Sequence, residues 1–243
     1  MKPSVKTRHL LSGLLLLAAG ITEAQAGVVV TNPTSLSAGD TYRLVFVTST
    51  TRDATSSNIA DYNSFVTAVA NSNAALLGLG TTWTAVASTV AVSALANTGT
   101  DWMPAGIQGV PIFRLDNTLL ATDYDQFWNA TGNHLAAFNI TENADVYTGP
   151  SALTGTSGQG GEMGLPAYGG TGGVALGKPT ILNGHYGVTN ALWVDGNFQS
   201  ASTLGSVYAI SGVLTATPEP SSALLLAGSG IMLALRRRRA ASL

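Results

Sequence analysis

Between Gly27 and Thr217 few side chains are equipped for chemistry. Two histidines, His134 and His185, and two glutamates, Glu142 and Glu162, stand among nine aspartates, and cysteine is absent. A serine hydrolase needs a histidine to take the hydroxyl proton and an acid to orient it. No Gly-x-Ser-x-Gly elbow marks such a serine here. A glycosidase needs two carboxyl groups held about 5 to 10 Å apart. No spacing singles out such a pair, and Glu162 lies in a glycine-rich stretch. The chain is therefore expected not to be an enzyme, with a hydrolase of matrix polymers as a remote alternative.

Metal chemistry finds equally thin material. Thiolate sites are excluded by composition. Asp116, Asp123 and Asp125 are close in sequence, as are Asp61 and Asn63, but neither group has EF-hand spacing. Calcium takes six to eight oxygens, and aspartates so placed read as solvated turn residues. No metal and no cofactor are expected. The run from Gly172 to Lys178 fits the Gly-x4-Gly-Lys part of a phosphate loop, but Pro179 follows in place of Ser or Thr. That removes both the magnesium hydroxyl and one N–H of the cradle.

Aromatic side chains offer a third kind of chemistry, stacking on sugar rings. Trp83, Trp128 and Trp193 sit in apolar patterns and read as core. Trp102 lies in the loop-like run Gly99-Thr100-Asp101-Trp102-Met103-Pro104. It is the tryptophan expected to face a ligand.

The elements that must place these groups start with the chain ends. Residues 1–26 combine a basic start, an apolar run from Leu10 to Ile21, and Ala24-Gln25-Ala26. That is a secretory signal with its cleavage site at Ala24 and Ala26, addressed to the Sec export machinery. At the other end, Pro218-Glu219-Pro220 precedes an apolar run from Ala223 to Leu235 and then Arg236, Arg237, Arg238 and Arg239. The apolar run is short for a bilayer of about 30 Å, and the arginines should stay cytoplasmic. The region from Gly27 to Thr217 is thereby left outside the cytoplasm. It holds four cations against eleven anions, a net charge of −7. That excludes a nucleic-acid partner, which needs a basic footprint.

Residues 218–243 resemble the PEP-CTERM sorting signal: Pro-Glu-Pro, a short hydrophobic helix that forms a transient membrane anchor, and an arginine cluster, in order. The resemblance implies a Gram-negative bacterium, recognition by an exosortase, cleavage near Pro218-Glu219-Pro220, and delivery to the cell surface or exopolysaccharide matrix.

Residues 27–217 suffice for one core. Thr41 to Thr48 reads as a strand buried on both faces, and residues 58–72 as an amphipathic helix capped from Ser56-Ser57-Asn58. Further strands are expected at Thr82–Ser88, Val110–Leu115 and Val207–Leu214, a strand end at Val146–Gly149, an ordered run at Ala191–Val194, and a short helix at Asp123–Trp128. Gly155 to Gly177 is expected to be a long glycine-rich loop.

This is an α+β arrangement with a mixed, mostly antiparallel sheet and one main helix. It resembles the C-type lectin-like fold, and within it the endostatin-like branch. The likeness is carried by Gly78–Ser88, by Val110-Pro111-Ile112-Phe113-Arg114-Leu115-Asp116, by Phe127-Trp128-Asn129, by Asp145–Gly149 and by Val207–Ile210, in that order. The branch's cysteines and basic surface are missing, so heparin-like partners are not implied. Lys178-Pro179-Thr180 and Trp193-Val194-Asp195 stand where the lectin calcium ligands would be, and they supply almost none of the oxygens. The expected function is that of a non-enzymatic, exported surface or matrix protein with a structural or adhesive role. The alternative is a calcium-independent glycan-binding module, with exopolysaccharide as the partner and Trp102 at the site.

Overall fold

A computed structural model describes residues 28–101, 109–128, 134–158, 160 and 173–218 of the chain. Its centre is strand β1, Thr41–Val47. The run is β-branched and aromatic, and every residue after Thr41 is buried. Tyr42, Leu44 and Phe46 enter one hydrophobic core, and Val45 and Val47 a second core on the opposite face. Period-two alternation thus feeds two cores from one strand.

Six strands form the main sheet: β2 (Trp83–Ala85), β8 (Tyr208–Ser211), β1, β3 (Ile112–Arg114) and β4 (Leu119–Ala121) in that order, with β9 (Leu214–Thr215) pairing the start of β1. Only β1 and β3 run parallel, with Arg43 beside Ile112 and Val45 beside Arg114. The other pairings are antiparallel. A smaller antiparallel sheet joins β5 (Ala152–Leu153), β6 (Thr180–Gly184) and β7 (Asn197–Ser200).

Helix α1, Ile59–Ser72, covers the first core. The Asn58 side chain accepts the Ala60 N–H, and Asp61 in the first turn complements the helix dipole. Its buried residues Tyr62, Val66, Val69 and Ala70 recur at helical spacing. Three short helices follow: α2 (Ala74–Leu77), α3 (Ala94–Thr98) and α4 (Tyr124–Trp128). In the second core, α4 contributes Phe127 and Trp128 to an aromatic group with His134, Phe138, Trp193 and Tyr208.

The α+β class and the mixed, mainly antiparallel sheet agree with the sequence reading. Two ordered runs of the sequence take particular forms. Ala191–Trp193 is a 3-10 turn, capped by Asn190, whose side chain accepts the Leu192 N–H. A strand there would need a neighbour, but the His185 N–H takes only the Leu192 carbonyl. Val146–Gly149 contributes a single bridge, Val146 to Ile140, across the tight turn at Ala144, whose φ is +60°. Val207–Leu214 is broken at Gly212 and Val213 into β8 and β9. Of the expected glycine-rich loop, 155–158, 160 and 173–177 are described. Gly155, with φ of +56°, packs so close to Leu176 and Ser88 that a Cβ would meet backbone atoms at 2.5 and 2.7 Å.

Candidate functional site

The chain leaves the fold through a fixed exit. β9 lies against β1, with Thr215 opposite Thr41 and Leu214 opposite Tyr42. Beyond it, the Ala216 N–H donates to the Asp40 carbonyl at 2.8 Å, and the Gly39 N–H donates to the Ala216 carbonyl at 2.9 Å. Gly39 has φ of +96°, which a side chain would strain. Asp40 holds the turn by accepting the Ser37 N–H on its carboxylate at 2.8 Å. The Thr217 N–H then donates to Asn32 Oδ1, and Asn32 Nδ2 donates to the Thr217 carbonyl, both at 3.0 Å. Pro218 follows, exposed, as the first residue free of these bonds.

The titratable groups of the described residues are mostly tied to structure. Glu142 is buried at the far end of β1, where it accepts both the N–H and the hydroxyl of Ser49. Asp116 is bound by Arg114 and by the Thr118 N–H. Burial works to raise its pKa, but the Arg114 guanidinium and the Thr118 bonds outweigh that and hold it below the usual carboxylate range. Asp123 caps α4 by accepting the Gln126 N–H at 2.8 Å, while Asp125 lies exposed in the first turn. Asp61 accepts the Ser56 hydroxyl, and Asn63 bonds Asn97. Among the described residues, no three His, Asp or Glu side chains converge to hold a metal.

His134 is sealed in the second core. Its Nε2 lies 2.9 Å from the Phe127 carbonyl, and its ring stacks on Phe127 and tilts against Trp193. Burial lowers its pKa to about 4, so it is neutral over most of the working range. Asp195 is half-buried, and burial pushes its carboxyl up, countered by the Gly158 N–H at 3.3 Å. His185 stands apart, its Nε2 at 3.0 Å from Asn197 Nδ2. In the phosphate-loop run, the N–H groups of Leu176, Gly177 and Lys178 are taken by the carbonyls of Ser88, Ala54 and Ala175. Thr180 opens a strand where a phosphate loop would open a helix.

The tryptophans read as core are core: Trp83, Trp128 and Trp193 are at most 2% exposed. Trp102, Glu162, Ala24, Ala26, Glu219, Pro220 and Arg236 to Arg239 lie outside the described residues. Sequence reading missed Phe198. It sits on β7, the edge of the smaller sheet, and is 63% exposed. Ser200 shares its side of the strand by the period-two rule, with Thr180 opposite Ser200. No apolar pattern marks an exposed phenylalanine in Asn197-Phe198-Gln199-Ser200. A second surface feature is a shallow depression of about 490 Å³ on the outer side of α1, lined by Ala60, Asn63, Ser64, Thr67, Ala68 and Asn71. Two of its polar groups are already engaged, Asn63 with Asn97 and Thr67 with the Trp83 carbonyl.

The fixed exit leads straight into a recognised signal. Residues 216–239 match the PEP-CTERM protein-sorting motif. That match places the chain in the class of exported proteins whose precursor is anchored in the membrane by its C-terminus and processed by an exosortase for the cell surface. The motif covers Arg236 to Arg239 and the Pro-Glu-Pro element, the residues that the sequence singled out. No curated protein matches the chain. Among the described residues no helix is long and apolar enough to cross a membrane, and Ala223 to Leu235 lies outside them.

Proposed function

We propose that this is a non-enzymatic protein of the cell surface or exopolysaccharide matrix, with a structural or adhesive role and an endostatin-like, C-type lectin-like exported domain. The observation that carries the reading is the sorting motif joined without slack to a folded acidic domain. The commitment of Glu142, Asp116 and His134 to structure supports a non-catalytic role. The fold assignment is supported by the return of β8 and β9 to β1, the early helix α1, and the smaller sheet beside the glycine-rich stretch. Deleting the chain should reduce cell–cell cohesion or matrix retention. Complementation with a His185→Ala, Asp195→Asn double variant should restore it. Failure of that variant, folded and surface-exposed, would return the hydrolase reading.

Phe198 favours a second reading, a calcium-independent glycan-binding module. An exposed ring flanked by Ser200 and Thr180 has the apolar face and hydroxyls that a sugar uses. Binding to the producer's exopolysaccharide in the presence of chelator, lost on Phe198→Ala or Trp102→Ala, would establish it. Absence of binding would leave the structural role.

A further inference from the structure

We propose that in the membrane-anchored precursor the end of the domain formed by Asn32, the Ser37–Asp40 turn and Thr217 lies against the lipid headgroups, and that the Asn32–Thr217 bonds keep it there. The proposal rests on the anchored precursor that the sorting motif defines, and not on the adhesive role.

The argument is one of chain length. Leu214 and Thr215 are paired to β1, and the N–H and carbonyl of both Ala216 and Thr217 are bonded. No slack remains on the domain side of Pro218. Five residues, Pro218 to Ser222, separate that point from the apolar run at Ala223. From Thr217 to Ala223 the chain takes six steps and, fully extended, reaches at most about 22 Å. The exit must therefore stand within that distance of the bilayer. Val28, the first described residue, lies four residues from Asn32, or at most about 14 Å of chain. The opposite end of β1, beyond Val47, is held a strand length away.

The chemistry of this end suits neutral headgroups. Residues 28–40 contain no lysine or arginine, and the Asp40 carboxylate is engaged by Ser37. Ser35 and Ser37 offer hydroxyl groups instead, while the Asn32 amide and the Thr34 hydroxyl are held within the fold. Contact is set by the tether and hydrogen bonding, with no basic attraction to anionic lipid.

The native chain has no cysteine, which makes single-site labelling clean. The full-length precursor would be reconstituted in phosphatidylethanolamine–phosphatidylglycerol vesicles doped with nitroxide-headgroup lipid. Fluorophores would be placed at Ala38→Cys, beside the exit, and Thr50→Cys, past the far end of β1; both positions are exposed. The label at 38 should be quenched several-fold more than the label at 50. Inserting eight Gly-Ser residues between Thr217 and Pro218 should erase the difference, and Asn32→Ala should narrow it. Equal quenching at both positions without the insertion overturns the proposal. So does a difference that survives the insertion, which needs no change within the fold and stays informative if Asn32→Ala does not fold.

Discussion

Asn63 on α1 and Asn97 on α3 hold each other's amides face to face. Asn63 Nδ2 donates to Asn97 Oδ1 at 2.8 Å, and Asn97 Nδ2 donates back to Asn63 Oδ1 at 2.9 Å. Both also reach Ala85 of β2: its N–H donates to Asn63 Oδ1, and its carbonyl accepts from Asn97 Nδ2. Two amides thus join two helices and an edge strand of the main sheet. Removing either should strand part-buried polar groups on the other side. Asn63→Ala and Asn97→Ala should each cost roughly 1–3 kcal/mol in urea unfolding. The double variant should cost clearly less than the sum, since the second deletion removes groups already orphaned. Strict additivity would show that the two amides act independently.

Gly184 ends β6 directly under the 3-10 turn. A Cβ there would sit 1.9 Å from the Trp193 carbonyl oxygen and 2.8 Å from its carbon. Backbone cannot yield as a flexible side chain would, so the turn must move. With it would move Trp193, packed against Phe127, Trp128, His134, Phe138 and Tyr208. Gly184→Ala should cost roughly 3 kcal/mol and red-shift tryptophan emission. Wild-type stability with unchanged emission would mean that the approach is looser than the structure gives.

These two contacts show where sequence reading reached and where it stopped. β1 and α1 were legible because their patterns are long: six buried residues in a row, and a capped stripe at 62, 66, 69 and 70. α4 was legible from Asp123 followed by Tyr124, Phe127 and Trp128. The smaller sheet was not. Thr180–Gly184 begins after a proline and ends in glycine, and its burial comes from the chain's return at Val174 and Thr154. Ala191–Trp193 has the composition of a strand, but Asn190 captures the Leu192 N–H and closes a turn. Tertiary context decided both. Of the candidate site, the sorting residues were legible because they are a linear signal. Phe198 was not, since exposure of an edge-strand residue is a property of the sheet. Arg43, inside the strand read as buried on both faces, is buried, donates to the Thr98 carbonyl at 2.6 Å and lies 5.4 Å from the Tyr124 ring centroid.

Calcium removal provides a further check. Asp116 is occupied by Arg114, Asp123 by the α4 cap, and Asp53 by the Thr55 N–H and hydroxyl. Each of these three carboxylates already serves a donor of the protein. Adding chelator should leave the thermal midpoint unchanged, and millimolar calcium should not raise it. A chelator-dependent fall in Tm would show that the folded chain holds a cation.

Acid should weaken the fold through His134 before the carboxylates titrate. Its folded pKa of about 4 lies below the unfolded value of 6.5. Between those values the unfolded chain holds a proton that the folded chain refuses. The stability this group contributes is complete above pH 6.5, declines as pH falls, and is exhausted below pH 4. At about 1.4 kcal/mol per unit the loss totals roughly 3 kcal/mol. Asp195 works in the opposite sense. Burial raises its folded pKa, so the folded chain takes up that proton first and gains stability as pH falls through the raised value. His134→Phe keeps the ring against Phe127 and Trp193 while removing the titration. Urea midpoints of the wild type should fall between pH 7 and pH 4.5. Those of His134→Phe should stay level or rise slightly over the same window, with Asp195→Asn removing the rise. A wild-type midpoint flat across that range would show that His134 finds a partner for its proton inside the fold.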